Sequence, residues 1–211
     1  MNNITKKLKE HYFKSFELNG ANSKGVDWGP DEEKLLMRYE KMFEVCPSSL
    51  KESKISILDV GCGFGGLYEY AIANGYQVSY TGIDVVETMI EFATNKYEDG
   101  SFSCEDILEI GLDRQFDFVI CNGILTQKLD VSNREMDDFA HAIIKKMYQL
   151  CKIGIVFNVM TTKVNFFSNN LYYRNPAELF SWCVSDVTPY IKLNHSYPLY
   201  EYSIYLYREP Q

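Results

Sequence analysis

The residues with the clearest chemical meaning lie between positions 57 and 66, ILDVGCGFGG. An apolar run, Ile57 to Val60, enters a turn that holds Gly61, Gly63, Gly65 and Gly66. Glycine has no Cβ, so such a turn lets backbone approach a ligand closely. Two spacings coincide here. Gly61, Gly63 and Gly66 form GxGxxG, the pattern that cradles a dinucleotide pyrophosphate. Asp59, Gly61, Gly63 and Gly65 form acid-x-Gly-x-Gly-x-Gly. The Asp59 carboxylate beside the loop would repel a pyrophosphate and suits a cofactor carrying an ammonium and a sulfonium.

More polar residues follow later apolar runs. Asp84 can accept hydrogen bonds from both hydroxyls of an adenosine ribose, which either cofactor would carry. Asp106 can accept from an adenine amino group while Ile107 covers the ring. Asn122 and Gly123 follow a further run. Each has a plainer reading: Asp84 and Asp106 as helix caps, Asn122 as a turn residue. Their joint placement after successive strands is what the plainer readings explain badly. A rival signal is Tyr148-x-x-x-Lys152, the spacing of short-chain dehydrogenases. Here it closes a helix and feeds a strand, where those enzymes keep both residues within one helix.

The elements that must position these groups are legible as changes of period. Apolar runs at 55–60, 77–83, 101–104, 116–121 and 152–160 read as strands. Between them, Leu67, Tyr70 and Ala71, then Val86, Met89, Ile90 and Ala93, then Met136, Phe139, Ala140, Ile143, Ile144 and Met147 lie at helical spacing. Ile4, Leu8 and Tyr12 mark a weaker helix. A firmer one starts near Asp31, with Pro30 assigned to its first turn. Asn175-Pro176-Ala177-Glu178 opens a short helix ending near Trp182. Runs at 187–193 and 199–207 are joined too closely for a parallel crossover and predict an antiparallel hairpin. Alternating strands and helices predict a Rossmann-like α/β fold: seven strands, mostly parallel, the last antiparallel, helices on both faces. Ligands then sit at the carboxyl ends of the strands, near the switch point.

Composition narrows the partners. The 211 residues are 46% hydrophobic and 24% charged, which fits one globular domain with a core. A net charge of −8 argues against nucleic acid and anionic membranes as partners. No run is long enough to span a bilayer, and the lysine-bearing start has no apolar signal region, so a cytoplasmic location is expected. The six cysteines form no CxxC pair and read as buried thiols; the three histidines form no metal motif.

These residues resemble the class I S-adenosylmethionine-dependent methyltransferases. LDVGCGFG is similar to that family's first motif, GIDVVETMIEFA to its second, SCEDI to its third and FDFVICNGIL to its fourth. The resemblance implies S-adenosylmethionine (SAM) as cofactor and S-adenosylhomocysteine (SAH) as product. It implies that Asp59 neighbours the methionine ammonium and that Gly61, Cys62 and Gly63 pass under the methionine. Asp84, flanked by Val85 and Met89, would hold the ribose, and Asp106 and Ile107 the adenine. Asn122 and Gly123 would sit at the methionine end. No metal is implied. The flanks resemble a bacterial subgroup that modifies surface polysaccharides and other small molecules. In that case residues 1–50 form a lid, with Trp28 over the cofactor, on a catalytic domain at 51–211. The acceptor is then a small polar molecule, such as a sugar or phosphorylated precursor, met partly by the loop at 161–175 with Lys163 and Arg174. His195 is the candidate base for a hydroxyl acceptor, and His141 reads as structural. Two other functions stay open: an NAD(P)-dependent oxidoreductase, and a non-catalytic methyltransferase-like subunit.

Overall fold

A computed structural model describes residues 1–47 and 53–211. The expected boundary between residues 50 and 51 lies outside the described residues. The chain runs through α1 (Asn3–Asn19), α2 (Glu32–Phe43), β1 (Ile55–Val60), α3 (Gly66–Ala73), β2 (Val78–Asp84), α4 (Glu87–Lys96), β3 (Ser101–Cys104) and β4 (Phe116–Cys121). It continues through α5 (Asn133–Leu150), β5 (Cys151–Thr161), β6 (Tyr173–Arg174), α6 (Pro176–Asp186), β7 (Ile191–Asn194) and β8 (Glu201–Tyr207).

Seven strands follow the order β3-β2-β1-β4-β5-β8-β7, and the two-residue β6 pairs with the end of β5. All of these pairings are parallel except those of β8, which runs antiparallel to both β5 and β7. The chain lays down β1, β2 and β3 in one direction, then returns to place β4 and β5 on the other side of β1. That reversal opens a crevice between the carboxyl ends of β1 and β4.

The central strands are buried on both faces, which is why they read as near-continuous apolar runs. Leu58 and Val60 of β1 join the core under α5, while Ile57 joins the core under α2 and α3. In β8, Tyr202, Ile204 and Leu206 face the first core and Tyr205 and Tyr207 the second, the expected period of two. Helix α5 has the strongest local signal. Ser132 and Glu135 close a capping box at its start, and Met136, Phe139, Ala140, Ile143, Ile144 and Met147 are buried.

Beyond one-residue shifts in β2 and β5, the boundaries depart from the sequence reading in four places. Helix α6 continues past Trp182 to Asp186, because Leu179 and Cys183, four residues apart, bury one face. Strand β7 starts at Ile191 and not near 187: Pro189 has no N–H for a ladder, and the Thr188 hydroxyl instead donates to the Tyr207 carbonyl. Strand β8 starts at Glu201 and not at 199. Pro30 precedes the N-cap of α2 instead of lying in its first turn; Asp31 is the cap, accepting from the Lys34 N–H at 3.2 Å.

Candidate active site

The carboxyl ends of β1, β2, β3 and β4 deliver the glycine turn, Asp84, Asp106 and Asn122-Gly123 to one crevice. Gly61 leaves β1 at φ +75°, and its N–H donates to the Ile83 carbonyl at 2.8 Å. A Cβ there would stand 2.7 Å from Ile124 Cδ1, the movable end of a side chain, so it is the left-handed backbone angle that favours glycine. The Gly63 N–H donates to Asp84 Oδ2 and the Val86 N–H to Asp84 Oδ1, both at 2.9 Å. The turn therefore holds the Asp84 carboxylate in place at the cleft. Burial pushes its pKa up against those backbone hydrogen bonds.

Asp59 lies deeper, 2% exposed, and accepts a short hydrogen bond from the Tyr80 hydroxyl. Burial pushes its pKa up to about 7; the Tyr80 bond opposes the rise and the charge of Asp84 adds to it. Asp106 Oδ1 accepts from the Leu108 N–H at 3.0 Å, while its buried Oδ2 has no partner. Asn122 Oδ1 and Thr5 Oγ1 are buried without partners as well, and all three residues line the same cleft. Buried polar atoms left unpaired are costly, so these three are open to a partner from the cleft, a ligand or water.

The N-terminal segment roofs the crevice. Thr5, Leu8 and Tyr12 project from α1 at helical spacing, and Val26 and Trp28 come from the following loop. Trp28 lies over Gly123, where a Cβ would meet the indole at 2.9 Å. The Arg38 guanidinium covers the Trp28 ring at 3.8 Å. Arg38 Nε donates to Glu201 Oε2 at 3.0 Å, Asn158 Nδ2 donates to Glu201 Oε1 at 3.2 Å, and the Gly123 N–H donates to Asn158 Oδ1 at 2.8 Å. This buried chain of contacts ties roof to floor. The sequence carried no sign of it, because Arg38, Asn158 and Glu201 sit in ordinary helix and strand positions far apart in the chain.

Of the sequence-derived residues, Asp59, Gly61, Gly63, Asp84, Val85, Met89, Asp106, Ile107, Asn122, Gly123 and Trp28 line the cleft. Cys62 does not. Its thiol turns toward Gly82, where a Cβ would meet the sulfur at 2.8 Å, and burial holds its pKa well above the usual thiol range. His195 is outside the lining too. It is exposed after β7, two strands beyond β5, with its ring edge-on to Tyr202 at 5.7 Å. His195 stands apart from the cleft because the hairpin places β7 at the sheet margin. His141 stacks on Trp182 at 3.7 Å between α5 and α6, a packing role. Arg174 is engaged by Asp137 at 3.4 Å and Glu178 at 3.8 Å. Tyr148 donates to the Tyr207 carbonyl and Lys152 pairs with Asp117, so the Tyr-Lys spacing forms no site.

The lining carries Asp59, Asp84, Glu105 and Asp106 and, among the described residues, no lysine, arginine or histidine. That charge suits a cationic ligand and not a pyrophosphate. No group of His, Cys, Asp and Glu among the described residues has the geometry of a metal site. No helix among them is long and apolar enough to cross a membrane.

Comparison with known proteins agrees with this geometry. Residues 57–154 match the family described as "Methyltransferase domain". A Mycobacterium tuberculosis (strain ATCC 25618 / H37Rv) protein named as a methyltransferase, Rv1506c, is 32% identical over 151 residues, covering 71% of this chain and 90% of that one. The crystal structure of magnesium protoporphyrin IX methyltransferase (ChlM) from Synechocystis PCC 6803 with bound SAH superposes with a TM-score of 0.66. Identity is 16%, over 95% of this chain and 99% of that one. The DhpI-SAM-HEP complex superposes with a TM-score of 0.66 at 12% identity, over 97% and 99%. At such identities these two structures speak for the fold alone.

Proposed function

This chain belongs to the class I S-adenosylmethionine-dependent methyltransferases, and from that premise we propose that it methylates an oxygen or nitrogen of a small polar molecule. The observation that carries the cofactor assignment is the cleft lined by four acids and, among the described residues, no lysine, arginine or histidine, with unpartnered acceptors at Asp106 Oδ2 and Asn122 Oδ1. SAM, when bound, supplies a methyl group already activated on a sulfonium, so the protein need only hold, orient and exclude water.

Each residue then has a task. Asp106 Oδ2 accepts from the adenine amino group while Ile107 covers the ring. Asp84 accepts from the ribose hydroxyls, with Val85 and Met89 beside it. Asp59 faces the methionine ammonium, Gly61 and Gly63 lie under the methionine, and Asn122 and Gly123 close that end beneath Trp28. Cys62 contributes backbone only. Residues 1–50 act as the lid on the catalytic domain 51–211, and the protein works in the cytoplasm. A sugar or phosphorylated precursor of a surface polysaccharide is the acceptor class we favour. Its support is the likeness of the flanking segments to methyltransferases of that kind.

Calorimetry tests the reading directly. SAM and SAH bind at micromolar concentration and NAD does not; binding of NAD alone would refute it. Asp84→Ala abolishes cofactor binding, and unchanged affinity would sink the ribose assignment. Methyl transfer to a screened panel of sugar nucleotides separates an enzyme from a cofactor-binding subunit that turns nothing over.

A further inference from the structure

His11 lies at the seam between the roof and the segment after β4. Its Nε2 stands 2.9 Å from Asp27 Oδ2. The same oxygen accepts from Gln127 Nε2 at 2.6 Å, and Gln127, 5% exposed, in turn accepts from Asn170 Nδ2 at 3.1 Å. Asp27 holds this place at φ +61°, a left-handed conformation that non-glycine residues adopt at a cost. Strain of this kind persists where the surroundings demand one orientation. Three elements therefore converge on the Asp27 carboxylate: α1 through His11, the loop before α2, and the segment after β4 through Gln127. Asp27 is the charged group that meets the imidazole, Tyr12 the ring beside it on α1, and Gln127 reaches it only through Asp27.

The position relative to the cleft follows from the neighbours. Tyr12 and Val26, next in sequence to His11 and Asp27, both line the cleft. Thr126, next to Gln127, donates from Oγ1 to the Gly123 carbonyl at 2.6 Å. Asp27 also immediately precedes Trp28, which covers Gly123. His11 and Asp27 are not in the lining themselves but stand beside it: the Asp27 charge acts on the Tyr12 hydroxyl, which meets Thr126 at the Gly123–Trp28 end, where the assignment above puts the methionine and its methyl group. The His11 side chain is 30% exposed, which leaves an approach for a second molecule. A carboxylate can only accept, so the tautomer that matches this contact is the one with its proton on Nε2 and a lone pair on Nδ1.

We propose that His11, oriented by Asp27, is the general base that takes a proton from a hydroxyl acceptor. The inference rests on the methyltransferase reading and deepens it. An ionised carboxylate acceptor needs no base, so a site with a built histidine–aspartate pair points to an alcohol or a phenol. In the step, the acceptor oxygen forms the new C–O bond as the C–S bond of the sulfonium breaks, and that bond's electron pair stays on sulfur. The hydroxyl proton passes to His11 Nδ1. Asp27 stabilises the imidazolium, which afterwards loses its proton to solvent. Asp27 is a positioning residue, and Gln127 fixes its carboxylate.

Two measurements test this on the full chain. In the first, ring NMR signals of all three histidines are compared at one pH between the SAM and SAH complexes, with His11→Gln for assignment. The two ligands differ in one methyl and one positive charge at sulfur. The His11 ring signals move between the complexes, while those of His141 and His195 coincide. Coincidence of the His11 signals would overturn the proposal. Failure of both ligands to bind would instead overturn the methyltransferase reading. In the second, labelled methyl transfer is followed with UDP-glucose and 4-methylcatechol as hydroxyl probes and malonate as carboxylate probe. Turnover of a hydroxyl probe falls roughly 10²- to 10⁴-fold in His11→Gln, with SAH affinity unchanged, and Asp27→Asn lowers turnover and shifts its pH profile. Turnover of malonate alone, or of a hydroxyl probe undiminished in His11→Gln, contradicts it; should no probe react, the NMR comparison decides.

Discussion

Cofactor affinity should rise with pH through the titration of Asp59. Burial pushes that carboxyl up to about 7 in the folded protein, from a reference of 3.8. A buried neutral acid offers little to an ammonium, while its ionised form is a strong partner. With a pKa near 7 the group is about 90% ionised at pH 8 and about 3% ionised at pH 5.5. If only the ionised form binds, apparent affinity for SAH weakens about 30-fold between those pH values. SAH is the better probe, since it keeps the ammonium and lacks the sulfonium. Calorimetry in two buffers of different ionisation enthalpy should also count close to one proton released per SAH bound near pH 6. The folding term has the opposite sense. A raised folded pKa stabilises the protein fully below the unfolded value, and this contribution is lost as pH rises from about 4 to about 7. Three pH units amount to about 4 kcal/mol, missing at pH 8 and restored by the bound ammonium. Asp59→Asn separates the two effects: SAH affinity becomes independent of pH and weak, while the thermal midpoint at pH 8 rises. Equal affinity at pH 5.5 and pH 8 in the wild type, or a pH dependence that survives in Asp59→Asn, would refute this reasoning.

Other predictions concern the floor, the roof and the adenine end. Gly123→Ala, at φ +107°, drives a methyl into the Trp28 indole. It should cost about 1–2 kcal/mol in urea unfolding and shift the emission of Trp28, measured against a Trp182→Phe background. Arg38→Met leaves Glu201, 1% exposed, as an unpaired buried charge. A loss of about 3–5 kcal/mol is expected, much of it recovered when Glu201→Met is added. Asp106→Asn should erase the preference for SAH over its deaminated 6-oxo analogue, a preference worth about 1–3 kcal/mol in the wild type by competition binding.

Much of the fold was legible because the central strands and α5 carry their signals locally. The buried strands are unbroken apolar runs, and α5 pairs a capping box with a full buried face. The tail was read less well: Pro189 shortened β7, and burial of Cys183 against the core, invisible in one weakly amphipathic turn, carried α6 onward to Asp186.

The site divides in the same way. The sequence by itself determined the strand-end residues, because a parallel sheet obliges whatever follows β1, β2, β3 and β4 to meet at one edge. Asp59, Gly61, Asp84, Asp106 and Asn122 could thus be placed without coordinates. Only the tertiary structure decided what the side chains do there. It turned the Cys62 thiol away and left His195 at the sheet margin. It also joined His11 to Asp27 and Gln127, and Arg38 to Glu201, across 163 positions in the second case. Such contacts depend on how helices and loops pack over the sheet, and no local period or spacing in the chain records that packing.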